Sequence, residues 1–220
     1  MTAVAVTGLA AEAKLAVEAG FSAICGGGDP QRTASALTRM HRAGVTGLIS
    51  FGIAGGLAPE LRPGILVVAD SVLAEDGTRY PTDATWAAAV RRNAAGSEGD
   101  VIGADRIVAS AAEKAWLHRR TGAVAVDLES AAVARHARLA GLPFIVVRAI
   151  ADPAERNLPG AACLALLPDG RPDLRAVVGS VLARPRQLPA LLRTALDTRS
   201  ALGGLRRALR SAGPAMAHAV

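Results

Sequence analysis

A chain of 220 residues, 51% apolar and 20% charged, is large enough for one domain with a substantial core and too apolar for intrinsic disorder. Two cysteines, Cys25 and Cys163, exclude a disulfide framework, and no uncharged apolar run approaches the roughly 20 residues needed to cross a bilayer. The formal charge of +6 is confined to one end: residues 1–180 carry eighteen basic and eighteen acidic side chains, whereas residues 181–220 carry seven arginines against Asp197 alone.

That imbalance describes a tail and does not make the chain a nucleic-acid binder. Glu12 and Lys14 interrupt the first apolar run, which argues against a signal peptide, and the expected setting is a reducing cytoplasm. With aromatics at only 3%, the core must be aliphatic and a planar ligand has few rings to stack on.

Short apolar runs alternate with helical patterns, the signature of an α/β sheet. Ala3–Thr7 predicts a strand, Ala10–Ala19 a helix stopped by Gly20, and Ser22–Cys25 a short strand running into Gly26-Gly27-Gly28-Asp29-Pro30. Pro30–Ala43 predicts a helix with proline in its first turn and Gly44 as its stop. Leu48–Phe51 predicts a strand ending in a glycine-rich turn at Gly52–Gly56, and Ile65–Leu73 one long central strand. Helices are expected over Thr82–Asn93 and Ser110–Arg120, with a strand at Asp100–Gly103 between them.

Two further strands end in Asp127-Leu128-Glu129 and in Arg148-Ala149-Ile150-Ala151-Asp152, and they flank a helix over Glu129–Ala140. Pro153–Asp173 reads as irregular cover. The sequence divides into a main unit over 1–183 and a basic helical tail over 184–220, where Gly203-Gly204 should break or kink the helix. That tail suits either a helix docked on its own domain or a basic amphipathic element resting on an anionic membrane through residues 184–210.

Ligands of open α/β sheets bind beyond the carboxyl ends of the strands, so Glu129 and Asp152, twenty-three positions apart, are candidate site residues. Each also has an ordinary explanation, as a first-turn acid and as the start of an Asp-Pro turn. A carboxylate that holds sugar hydroxyls and another that shares a proton with a heterocycle would suit nucleoside cleavage. The turn at Gly26, Gly27 and Gly28, with Arg32 in the following helix, could cradle phosphate, but such turns also serve any tight connection. His41, His118, His136 and His218 have no metal-ligand spacing, and Ser50 and Ser130 have no evident histidine partner. No metal or cofactor is expected.

At these residues the chain resembles the nucleoside phosphorylase and nucleosidase family. The resemblance rests on Val6-Thr7-Gly8-Leu9, Ser50–Leu57, Pro63–Asp70 and the two acidic motifs. Within that family it is most similar to the hopanoid-associated phosphorylases, through Gly103-Ala104-Asp105-Arg106, Lys114 and the arginine-leucine tail. The resemblance implies a three-layer, single-domain fold with a central mixed sheet flanked by helices.

For the site, the resemblance implies that Glu129 binds the ribose hydroxyls beside Asp127 and Leu128. Asp152 would protonate the leaving purine. Gly8, Gly52, Ile53 and Ala54 would line the substrate and nucleophile, and Arg106 would stack on the base or stand at the surface. Ala13 falls where the hydrolytic relatives hold water with a carboxylate, which favours inorganic phosphate as co-substrate, bound by Gly26, Gly27, Gly28 and Arg32. The implied reaction is phosphorolytic release of adenine from adenosylhopane. The alternatives are hydrolysis of that lipid or of methylthioadenosine or S-adenosylhomocysteine, and a non-catalytic nucleoside-binding module. A homodimer is implied, with peripheral membrane contact and no nucleic-acid partner.

Overall fold

The computed structural model describes residues 2–40, 44–163 and 166–217. His41, His218 and the end of the helix expected to reach Ala43 lie outside the described residues. A mixed sheet of nine strands runs through the middle, with helices on both faces. The first strand β1 (Thr2–Thr7) pairs in parallel with β2 (Ser22–Cys25) on one side and with β3 (Val45–Gly56) on the other. Helix α1 (Ala10–Glu18) connects β1 to β2, and α2 (Pro30–Arg39) connects β2 to β3. Asp29 caps α2 by accepting the Gln31 and Arg32 N–H groups.

Strand β3 extends three residues before and five residues after its predicted four, and the expected glycine-rich turn is extended strand. The physical reason is close approach. A Cβ on Gly52 would lie 2.5 Å from Arg148 Nη1, and one on Gly47 would lie 2.8 Å from the Trp86 ring, so side chains from neighbouring elements occupy the space beside β3. The run expected as one long strand is instead two, β4 (Leu66–Val68) and β5 (Ser71–Ala74). The chain switches partner at Asp70, whose carboxylate accepts the Gly99 N–H at 3.0 Å and pairs with Arg91 at 2.6 Å.

Beyond the switch, β5 pairs with the edge strand β6 (Arg79–Pro81), and helix α3 (Ala84–Ala94) follows. Strand β7 (Val101–Gly103), helix α4 (Ala111–Thr121) and strand β8 (Ala125–Asp127) come next. Helix α5 (Ser130–Ala140) ends on Gly141, whose φ of +66° favours glycine. It leads into β9 (Phe144–Asp152), buried along nearly its whole length between β3 and β4.

Residues 153–173 contain a 3-10 turn over Gly160–Cys163, and helix α6 (Leu174–Ala183) follows. The last helix, α7 (Leu188–Ala217), is continuous through Gly203-Gly204, contrary to the expected break. Tertiary packing overrides the low helix propensity of glycine here: Ala201, Leu205, Ala208, Ala212 and Met216 are buried in the core under β9 and α3. Gly204 is what allows the approach, since a Cβ there would sit 2.6 Å from the Gly64 carbonyl oxygen. Gly203 faces open space apart from Arg207, 3.6 Å from where its Cβ would be.

The two adjacent glycines therefore respond oppositely to alanine. Gly204→Ala pushes α7 off the sheet and costs about 1–3 kcal/mol, whereas Gly203→Ala gains up to about 1 kcal/mol of helix propensity. Urea unfolding midpoints of the two variants against the parent check both signs.

Candidate active site

Strand β3 sets the site's register. Its Gly55 pairs with Val126 of β8 on one side and with Asp152 of β9 on the other, so the two acidic strand ends flank one glycine. A Cβ on Gly55 would lie 3.3 Å from Asp152 Oδ2. The β1 end contributes a third acid: Glu12, in the first turn of α1, reaches back to the N–H groups of Gly8 at 3.0 Å and Leu9 at 2.8 Å. Its other oxygen accepts the Ile53 N–H of β3 at 2.8 Å.

Behind these carboxylates lies Arg148, which β9 carries into the core with no solvent exposure. Its Nε stands 2.7 Å from Asp127 Oδ2, close enough for an ion pair though not aligned as a hydrogen bond. Its Nη2 reaches Glu129 Oε2 at 3.2 Å and donates to Ser50 Oγ at 2.7 Å, and Ser50 in turn meets Ser130 Oγ at 2.9 Å. Burial opposes the guanidinium charge, but Asp127, Glu129 and Glu12 outweigh it and hold the Arg148 pKa above its ordinary value.

Asp127 itself starts α5, accepting the Glu129 N–H at 3.0 Å, the Ser130 N–H at 2.8 Å and the Ser130 hydroxyl. Burial, reinforced by Asp127 and Glu12, pushes the Glu129 carboxyl up to about 7 against the pull of Arg148. Burial also raises Glu12, more than Arg148 and its three N–H donors lower it.

Asp152 has a separate partner. Lys114 of α4 is fully buried and donates to Asp152 Oδ2, to the Pro153 carbonyl at 3.1 Å and to the Arg156 carbonyl at 3.1 Å. Burial raises the Asp152 pKa, and Lys114 offsets that only in part.

Glu12, Asp127, Glu129 and Asp152 open on one cavity of about 220 Å³. Of the residues singled out from sequence, Gly8, Gly28, Ile53, Ala54, Arg106, Asp127, Leu128, Glu129 and Asp152 line it. Gly52 does not, because it lies behind the wall against Arg148 and Glu12. Gly26 gives its N–H to the Thr7 carbonyl at 2.8 Å and lines no part of this cavity. Gly27 and Arg32 border a neighbouring cavity, where Arg32 donates to the Gly27 carbonyl at 3.1 Å and pairs with Asp29 at 3.3 Å. Arg106 stands at the mouth, ion-paired to Glu113.

Sequence reasoning missed Glu12 as a wall of the cavity, having looked one residue further, to Ala13, which does not line it. A carboxylate at the third position of a helix, just after a glycine at a strand end, was the available signal. It also missed Arg148, legible as a charge within an otherwise apolar strand, and the pairing of Lys114 with Asp152, which only the fold reveals. His118 Nδ1 meets the Ala123 carbonyl at 2.8 Å and takes no part in the cavity.

A mixed nine-stranded sheet between helices, with an acidic cavity at its strand ends, defines an α/β protein with a buried polar site. The Phosphorylase superfamily pattern matches residues 4–182, and the chain belongs to that family. Among solved structures it is similar to the futalosine hydrolase of Helicobacter pylori, with a TM-score of 0.68, 17% identity, and 94% of this chain and 97% of that one covered. It is similar also to the 5′-methylthioadenosine/S-adenosylhomocysteine nucleosidase of Neisseria meningitidis in complex with methylthio-immucillin-A. There the TM-score is 0.66, the identity 20%, and the coverage 96% of this chain and 100% of that one.

Two stability measurements follow from the cluster. Arg148→Met leaves buried carboxylates without their cation and costs about 3–5 kcal/mol, with a larger loss near neutral pH than in acid, where the carboxyls take up protons. Below pH 4.5 the Glu129 carboxyl holds its proton in both the folded and unfolded chains, and between 4.5 and about 7 only the folded chain holds it. The fold therefore loses stability as pH rises through that interval. Urea titrations across it show a falling midpoint, and Glu129→Gln flattens the fall.

Proposed function

We propose that the protein cleaves the N-glycosidic bond of an adenosine-type nucleoside. The observation that carries this reading is the convergence of Glu12, Glu129 and Asp152 on one cavity, each with its pKa raised. Asp152, whose carboxyl burial shifts toward the protonated form, donates a proton to the imidazole nitrogen of the purine as the C1′–N9 bond breaks and its electron pair leaves with the base. Lys114 holds the Asp152 carboxyl in place. Glu129 accepts the ribose hydroxyls, and its negative character grows more favourable as the sugar becomes oxocarbenium-like.

The charge of the walls favours water as the nucleophile. Three backbone N–H groups occupy three of the roughly four acceptor positions of the Glu12 carboxylate. The remaining position suits a water molecule, which gives Glu12 a proton as its oxygen bonds to C1′. Phosphate would face Glu12 and Glu129, and Arg106, the one cation among the described lining residues, is paired with Glu113. Arg32, expected to hold phosphate, is turned to Asp29 and Gly27 beside the next cavity.

For the substrate, Ile107, Val108, Leu128, Leu158, Ala162 and Leu166 make an apolar rim, which fits an adenosine carrying an apolar group. The likeness to the hopanoid-associated phosphorylases supports a hopane lipid as that group, and adenosylhopane is the proposed substrate. A homodimer is proposed as well, because Ile107 in the cavity lining and Trp116 in the adjoining cavity stand exposed, and a second copy would cover them.

Adenine release from such nucleosides, followed with and without added phosphate, tests the reading. The expected product is free ribose or its lipid-linked form, at a rate independent of phosphate. A ribose-1-phosphate product overturns the choice of water, and the absence of any release overturns the function. Asp152→Asn lowers kcat by roughly a hundredfold or more. Gly8→Ala drives a Cβ into the Glu129 carboxylate, so the displaced carboxylate weakens substrate binding and turnover together.

A further inference from the structure

Helix α6 has no buried residue, and the first buried side chain of α7 is Ala201. Between residues 174 and 200 the chain is nevertheless rich in large apolar side chains. Leu174, Val178 and Leu182 recur at helical spacing along α6, and Leu188, Leu192 and Leu196 do so along the start of α7. All six are between 43% and 78% exposed. An apolar stripe on two successive helices without a core beneath it marks an interaction surface.

The charges around the stripe say what covers it. Arg175, Arg184, Arg186, Arg193 and Arg199 lie in the same stretch, and its one acid, Asp197, is already paired with Arg156. A symmetric contact with a second copy would bring this single-sign cluster against itself, which like-charge repulsion disfavours. An anionic lipid surface complements both parts, since leucines enter the acyl boundary while arginines stay at the headgroups.

We infer that α6 and the first turns of α7 form a docking face for anionic membranes. This places the membrane contact at residues 174–200 rather than at 184–210, because Ala201, Leu205, Ala208 and Leu209 belong to the core. The face is tied to the cavity rim: Gln187 Oε1 accepts the Ala161 N–H at 3.1 Å, and its Nε2 donates to the Ser180 carbonyl at 2.7 Å. Ala162, in the same 3-10 turn, lines the cavity. A docked protein therefore holds the cavity mouth near the bilayer. The inference stands apart from the choice of nucleoside and nucleophile.

The test is sedimentation of the full chain with vesicles of phosphatidylcholine alone and of phosphatidylcholine mixed with phosphatidylglycerol. The parent should pellet with the anionic vesicles and stay in solution with the neutral ones. Two variants, V178E/L182E and R184Q/R186Q/R193Q, should keep the parent's melting temperature, because none of these side chains is buried. The second should lose about a hundredfold in partition, and the first should lose binding altogether. A parent that stays in solution with anionic vesicles, or variants that pellet as it does, overturns the inference. So does a V178E/L182E variant whose mass in solution falls to half the parent's, which makes the face a contact between copies. None of these readouts requires nucleoside cleavage, so failure here is distinguishable from failure of the proposed reaction.

Discussion

A guanidinium shut away from water governs this molecule. Arg148 lies in the middle of the sheet, and Asp127, Glu129 and Glu12 are gathered around it. Without the cation, three carboxylates at this depth would be neutral or the fold would be lost. With it, they persist as a polar cluster at the ends of three different strands and helices. The strands carrying them are positioned by backbone pairing, but the cluster determines which arrangement of those ends is tolerable.

The same balance leaves two of the acids incompletely compensated. Burial outweighs the pull of Arg148, which is shared among several partners, so Glu129 and Glu12 keep pKa values above the ordinary range. Asp152 stands in a second environment, with a buried lysine of its own. Three carboxyls of related chemistry thereby acquire different neighbours within a single cavity, and this is the condition under which acid and base roles separate. In the proposed reaction, the cluster that threatens stability is also the source of reactivity.

Glycine is what lets these groups meet. Gly8 and Gly52 lie where a methyl group would strike Glu129, Glu12 or Arg148, and Gly55 sits between the two acidic strand ends. At the other side of the sheet Gly204 plays the matching part for α7 and closes the core under β9. What remains unpacked is the stretch from α6 to the first turns of α7, whose apolar side chains the rest of the chain leaves uncovered.

The α/β alternation, most element positions and two of the acids, Glu129 and Asp152, were legible in the pattern of residues along the chain. Periodicity and strand-end position are local properties that residues a few places apart reveal. Long-range packing set the rest: Gly52–Gly56 continues a strand, Gly203-Gly204 lies within an unbroken helix, and Ile65–Leu73 divides in two. Each depends on a partner distant in the chain: Arg148 and Trp86 beside β3, Gly64 against α7, Gly99 at Asp70. The Glu12–Arg148 and Lys114–Asp152 associations were hidden for the same reason, since charges 136 and 38 positions apart become neighbours only once the sheet register is set.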